Sequence, residues 1–160
     1  MANLTMASRE LFRRSPDERF ESIPELAQFC QRLKQESLDR WHLPGTMQPR
    51  VHDMQLQLAL GSDGAFLMND WSFGQLCRLA GVNRETVNRV SSETASRIFQ
   101  ETLPNGTKPL QVLTSNGSAR SIHGVAYTRL WNADLVNILQ EFATDFQPPT
   151  DKHVTLTPRR

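Results

Sequence analysis

The hydrophobic period of this sequence changes along the chain, and that change limits the folds open to it. Within residues 26–33, apolar side chains recur at the three- and four-residue spacing of one helix face. Within residues 54–60, apolar residues instead alternate with Gln55, Gln57 and Ala59, which is typical of a strand with one buried face. Since both periods occur in separate segments, we expect an α+β protein.

Capping signals predict the first and last helices. Ser22 followed by Glu25 forms a capping box, so a first helix begins there and is expected to run to about Arg40. Asn132 is the predicted cap of a last helix, whose inner face is expected to consist of Leu135, Val136, Leu139 and Phe142.

Two β-hairpins are predicted from alternation and turn residues. Residues 54–60 and 65–68 flank a Ser-Asp-Gly turn and form the first hairpin. Residues 110–113 and 119–125 flank the pair Asn116-Gly117, the strongest short hairpin signal, and form the second.

Between the hairpins, residues 72–91 have the register of a helix-turn-helix. Ser72 and Gln75 form a second capping box, Gly81 supplies a left-handed stop, and Asn83 caps a longer helix that continues toward Phe99. The predicted order is therefore helix, β-hairpin, two helices in a helix-turn-helix-like corner, β-hairpin, helix. We expect one α+β domain over residues 1–146 and a polar, flexible tail over residues 147–160.

Charge is balanced overall but uneven locally. The 18 Lys and Arg residues against 17 Asp and Glu residues exclude a uniformly basic chain. Positions 78 to 129, however, hold seven basic and three acidic residues, a surplus of four. Such a basic segment suits phosphate contact.

Candidate binding residues follow from this segment. Arg84, Asn88 and Arg89 are expected to point outward from the second helix of the corner, where Asn and Arg suit contacts with base edges. Arg120 and Arg129 flank them as further contacts to phosphate or an acidic surface. Two aromatic residues remain open between stacking on bases and packing under the last helix, namely Tyr127 and Trp131.

The sequence predicts neither catalysis nor a bound metal or cofactor. Its four histidines fall in different predicted elements, and no zinc-ligand spacing, phosphate-binding loop or nucleophile elbow occurs. The sequence allows two interpretations of His123, as a general base or as a histidine with a structural role. Cys77 lies on an apolar helix face, which disfavours the thiolate. With no apolar run of membrane-spanning length and no signal segment, the expected location is the cytoplasm.

Three blocks of the sequence resemble a known family. Residues 10–26, 71–82 and 120–132 are similar, in that order, to segments of the phage/plasmid-like proteins, a domain of unknown function. The resemblance implies a mobile-element origin and a structural role for the helix corner. Family members are typically longer than 160 residues, so an open sheet edge that favours a homo-oligomer or a protein partner is expected.

The leading hypothesis is a non-enzymatic accessory protein of a phage or plasmid that binds DNA or a host nucleoprotein complex. One alternative is a winged or plain helix-turn-helix transcriptional regulator. Another is an inhibitor of a host defence complex, comparable to anti-CRISPR proteins.

Overall fold

A computed structural model describes Phe20 and residues 22–142, and it confirms the α+β class. Within those residues are five helices: α1 (Ile23–Gln35), α2 (Asp70–Leu79), α3 (Arg84–Arg89), α4 (Ser92–Thr102) and α5 (Asn132–Phe142). The strands are β1 (Ser37–His42), β2 (Met47–His52), β3 (Gln55–Leu60), β4 (Ala65–Met68), β5 (Leu110–Ser115) and β6 (Ser118–Gly124). None of these helices has the length and apolar character needed to cross a membrane.

The six strands form one mixed sheet in the order β1-β5-β6-β4-β3-β2. Both predicted hairpins are present, as the antiparallel pairs β3–β4 and β5–β6. The short β4–β6 pairing is parallel, whereas the other neighbouring strands are antiparallel. It joins the two hairpins into a single sheet, so that β6 lies next to the strand that leads into α2.

The first helix ends earlier than the sequence predicted. It stops at Gln35 rather than near Arg40, because residues 37–42 form β1 and pair with β5 along their whole length, from Ser37 opposite Ser115 to His42 opposite Leu110. The sequence did not predict β1 or β2. In β1 no apolar alternation marks the strand, since Leu38 and Trp41 are its only strongly apolar residues.

The long second helix predicted for the corner is wrong, because the chain forms two helices there. Helix α3 ends at Arg89, and Val90 is extended with φ −82° and ψ 169°. Ser91 then caps α4 by accepting a hydrogen bond from the Thr94 N–H at 3.2 Å. A serine hydroxyl competes for backbone N–H groups in this way, so it begins a new helix rather than continuing the old one.

The chain divides into two compact units. Of the described residues, 35–129 form the first, here called the sheet unit, whereas Phe20, 22–34 and 130–142 form the second, the helix-pair unit. The prediction of a single domain over residues 1–146 stays a prediction, and the tail predicted over residues 147–160 lies outside the described residues.

The core of the sheet unit lies between one sheet face and helices α2 to α4. Its largest fully buried side chains include Leu58, Leu60, Phe73 and Phe99. The two phenylalanine rings, one from α2 and one from α4, meet edge to face with centroids 5.9 Å apart, a favourable aromatic geometry. This core fixes α2 against the sheet and thereby positions the residues of the helix corner.

Candidate functional site

The helix corner, here residues 69–89, begins with a cap that the sequence misassigned. Asn69 accepts a hydrogen bond from the Ser72 N–H at 2.8 Å, so α2 begins at Asp70. Ser72 is fully buried in the first turn, and its hydroxyl donates to the Asn69 carbonyl at 3.2 Å. The predicted Ser72–Gln75 capping box is therefore wrong, because the chain enters the helix three residues earlier.

The turn between the two helices depends on Gly81. Its φ of +67° lies in the left-handed region that favours glycine. The Gly81 N–H donates to the Arg78 carbonyl at 3.2 Å, and the Val82 N–H donates to the Cys77 carbonyl at 3.0 Å. These two bonds form a Schellman motif, which ends α2 and directs the chain toward α3. Asn83 then caps α3 as predicted, accepting from the Thr86 N–H at 2.9 Å.

A cleft of about 360 Å³ lies within the corner, and we call it the corner cleft. Its volume is at the lower end of the range typical of small-molecule sites. Both helices and the turn contribute to the lining, which consists of Asp70, Trp71, Gly74, Gln75, Cys77, Arg78, Val82, Asn83 and Arg84.

Arg84 lies across the corner cleft. Its guanidinium forms an ion pair with the carboxylate of Asp70 at the start of α2. A Cβ on Gly74 would be 3.6 Å from Arg84 Cδ, so the arginine side chain runs past the helix where no Cβ is present. This pair fixes Arg84 and uses the only carboxylate that lines the cleft.

The remaining polar groups of the corner cleft are mainly hydrogen-bond donors. Gln75 Oε1 accepts from the Ile122 N–H at 2.8 Å, and Asn83 Oδ1 accepts from Thr86. Both amide oxygens are therefore in use, whereas the amide N–H₂ groups have no partner among the described residues. Arg78 is exposed and forms no ion pair with any described residue. The cleft thus has two guanidinium groups for one carboxylate, together with two amide donors.

An aromatic ring and a thiol complete the lining. Trp71 is 60% exposed, so one face of its indole is open to a ligand. Cys77 is 1% exposed, and burial raises the pKa of its thiol to about 11 despite the opposing effect of Arg84. Because the thiolate is the reactive form, Cys77 is a poor nucleophile at neutral pH.

The three predicted residues of α3 lie in different environments. Arg84 is paired with Asp70, with 46% of its side chain exposed. Asn88 is half-buried, and its buried Oδ1 accepts no hydrogen bond from the described residues. Arg89 is exposed at the end of the helix and has no ion-pair partner within the described part of the chain. Of the three, Arg89 has the guanidinium most open to an external anion.

Arg120 lies at an irregularity of the sheet. Leu113 pairs with Ser121 and Thr114 pairs with Ala119, so Arg120 is the extra residue of a β-bulge. It is exposed. Bulges redirect side chains relative to the regular pleat, and no pattern in the sequence predicts this one.

Arg129 and Tyr127 lie outside residues 69–89 and form a cluster with Asp39 and His123, which we call the Arg129 cluster. The Arg129 guanidinium donates to both carboxylate oxygens of Asp39, at 2.7 to 3.2 Å, and 10% of its side chain is exposed. The Tyr127 ring stacks on the His123 ring, with centroids 3.7 Å apart and an interplanar angle of 10°. Burial lowers the pKa of His123, and the nearby Arg129 lowers it further.

Trp131 belongs to the helix-pair unit, where Lys34 Nζ lies 5.9 Å from the centroid of its ring. This cation–π contact is internal to that unit.

Within residues 22–142, no three His, Cys, Asp or Glu side chains are grouped so that they could hold a metal ion. His153 lies outside the described residues.

Sequence reasoning missed Trp71, Gln75 and Arg78 as site residues. Positions 71, 74, 75 and 78 follow the i, i+3, i+4, i+7 spacing of one helix face. The sequence signal for a site was the combination on this face of an aromatic residue, a glycine, an amide and an arginine. A helix face without a central Cβ leaves room for a neighbouring side chain or a ligand.

Comparisons with protein-family models, curated proteins and solved structures found no match.

Proposed function

We propose that this chain is a non-enzymatic accessory protein that binds nucleic acid, alone or within a nucleoprotein complex, through its helix corner. The observation that supports this proposal most is the surplus of hydrogen-bond donors in the corner cleft, where two guanidinium groups and two amide groups face one carboxylate that is already paired. The proposed mobile-element origin depends on the sequence resemblance alone.

Electrostatics favours an anionic ligand for this corner. Arg78 and Arg89 are exposed on successive helices, and neither is neutralised by a described carboxylate. A guanidinium binds phosphate through charge-assisted hydrogen bonds with little need to break existing contacts. Nucleic-acid affinity obtained in this way decreases steeply with salt, because each phosphate contact releases condensed counterions.

The test measures fluorescence anisotropy of labelled single-stranded and duplex DNA at 50 and 200 mM salt. We expect wild-type affinity to fall steeply over this range. The double variant Arg78→Ala, Arg89→Ala should bind about tenfold more weakly and have a shallower salt slope, by roughly 0.7–0.9 per lost contact. Arg50→Ala, which removes an exposed arginine from edge strand β2, is the matched control. Wild-type protein that binds neither DNA at 50 mM salt would contradict the proposal.

A helix-turn-helix regulator is a second candidate, favoured by the Schellman turn at Gly81 that connects α2 to α3. Helix α3 has six residues, so few side chains could reach base edges. A regulator should prefer one palindromic duplex and bind it as a dimer. Equal affinity for all duplexes of the same length would exclude this candidate.

A protein surface as the partner, as in an inhibitor of a host defence complex, is favoured by helix α5. An exposed apolar stripe with the spacing of one helix face consists of Leu135, Ile138, Leu139 and Phe142, which are 44–83% exposed. The predicted inner face is therefore wrong for Leu135, Leu139 and Phe142, whereas Val136 is buried. Exposed apolar stripes of this kind mark interaction surfaces. If a host complex binds this protein after nuclease treatment and Leu139→Glu abolishes the binding, the partner is protein.

A further inference from the structure

The corner cleft has the features of a site for one nucleotide unit rather than for a duplex. We propose that it binds an unstacked base together with its phosphate, as supplied by a single strand, a bulge or a strand end. The base would stack on Trp71, and the phosphate would bind Arg78 with help from the amide groups of Gln75 and Asn83. This inference depends on the proposed nucleic-acid binding and makes it more specific.

The volume of the corner cleft favours a single nucleotide over a duplex. A cleft of about 360 Å³ accommodates a ligand of small-molecule dimensions. It is too small to receive a double helix, whose own major groove is wide enough to admit an α-helix. A single nucleotide that leaves its stack fits this scale.

The exposed indole is the second argument. Trp71 is the most exposed tryptophan in the sheet unit, at 60%. Five of the other eight lining residues are polar or charged, and the remaining three are Gly74, Cys77 and Val82. Exposing such a ring to water forgoes the stabilisation that burial would give. Single-strand binding proteins use aromatic rings in this arrangement, beside cationic groups that follow the backbone.

The distribution of donors is the third argument. The Asp70 carboxylate, the one acidic group of the lining, is occupied by Arg84. The ion pair neutralises both groups and places Arg84 beside Gly74. Arg78 is then left as the cation available to a ligand, and the amide N–H₂ groups of Gln75 and Asn83 are available beside it. A ligand that presents acceptors and one negative charge next to a flat ring satisfies all of these groups.

The test compares a short single-stranded oligothymidylate with an abasic strand that carries the same number of phosphates. Trp71→Ala should weaken oligothymidylate binding about tenfold, equivalent to about 1.4 kcal/mol, because the base loses the ring on which it stacks. Trp71→Phe retains a ring and should recover most of that loss. Trp41→Ala is the matched control, because Trp41 is also about half exposed, at 51%, but lies on β1. Circular dichroism melting of each variant excludes loss of the fold.

The two strands and the Trp71 variants distinguish base binding from phosphate binding. It is supported if the abasic strand binds wild-type protein about tenfold more weakly than oligothymidylate, and if Trp71→Ala removes that difference but keeps the salt slope. Equal affinity for the two strands, or unchanged affinity in Trp71→Ala, would overturn the base site while leaving nucleic-acid binding intact. Absence of binding to either strand by wild-type protein would overturn the proposed function itself.

Discussion

The corner cleft and the Arg129 cluster contain similar residue types but differ in how many of those side chains already have a partner within the protein. Each combines arginine, an aromatic ring and one aspartate. In the Arg129 cluster, both oxygens of Asp39 accept from Arg129 and Tyr127 stacks on His123. In the corner cleft, Asp70 pairs with Arg84, whereas Arg78 and Trp71 remain exposed. Residue type alone therefore does not identify a binding site; a group is available to a ligand only if the fold has not already given it a partner.

This difference separates contributions to stability from contributions to binding. Replacing one residue of a half-buried, bidentate ion pair lowers the free energy of unfolding, because the remaining charge is left without a partner. An exposed arginine with no ion pair can be removed at almost no cost in stability. Substitutions in the two regions should thus affect different measurements.

The largest expected effect is on stability, at Arg129. Arg129→Ala leaves Asp39 without its partner and should lower the free energy of unfolding by about 2 kcal/mol. Urea denaturation measures this loss. The matched control is Arg89→Ala, which should change stability by no more than about 0.5 kcal/mol. Equal effects from the two substitutions would remove the distinction between the regions.

Gly81→Ala tests the turn of the helix corner. At φ +67° an alanine Cβ is strained, although space is available around it. We expect the free energy of unfolding to decrease by about 1 kcal/mol, measured by the same denaturation. A neutral effect would show that the corner does not need its left-handed residue.

Gly74→Ala should separate binding from stability in a single variant. Gly74 lies inside α2, where alanine is favoured over glycine by about 0.5–1 kcal/mol, and its Cβ would meet Arg84 Cδ at an ordinary 3.6 Å. Stability should therefore rise, while nucleic-acid affinity decreases because the added methyl group fills part of the corner cleft. Affinity that is unchanged or higher would indicate that ligands do not enter the cleft.

The smallest expected effect is the pH dependence of His123. Burial, and then Arg129, lower the pKa of His123 from its ordinary value near 6.5, so the unfolded chain takes up a proton at higher pH than the folded chain. Stability should thus decrease as pH falls below about 6.5, toward the lowered value. His123→Gln should flatten this part of the profile. An unchanged profile would show that His123 does not contribute to it.

Local signals predicted those parts of the fold that local interactions determine. Asn116-Gly117 predicted the second hairpin. Gly81 predicted the end of the first corner helix and Asn83 the start of the next, because turn and cap geometry depends on neighbouring residues. Strand β1 was missed because its residues, Ser37 to His42, are held by pairing with β5, some 70 positions away. A strand fixed by distant pairing needs no alternation of its own.

The candidate site was predicted in part. Arg84 and Arg89 were identified from the helix-turn-helix register, but the partner that fixes Arg84 is Asp70, in the preceding helix. The sequence likewise grouped Arg129 with the binding arginines, since nothing in the pattern places Asp39 beside it. Ion pairs between residues distant in the sequence decide which charges are available, and one sequence does not reveal them.

The most direct test of this account measures the affinity of single-stranded DNA at 50 and 200 mM salt for two single variants, Arg78→Ala and Arg129→Ala, at a temperature where both are folded. We predict that Arg78→Ala lowers affinity and reduces the salt slope by roughly 0.7, whereas Arg129→Ala binds as wild type does. If Arg129→Ala loses affinity and Arg78→Ala retains it, the helix corner is not the binding site.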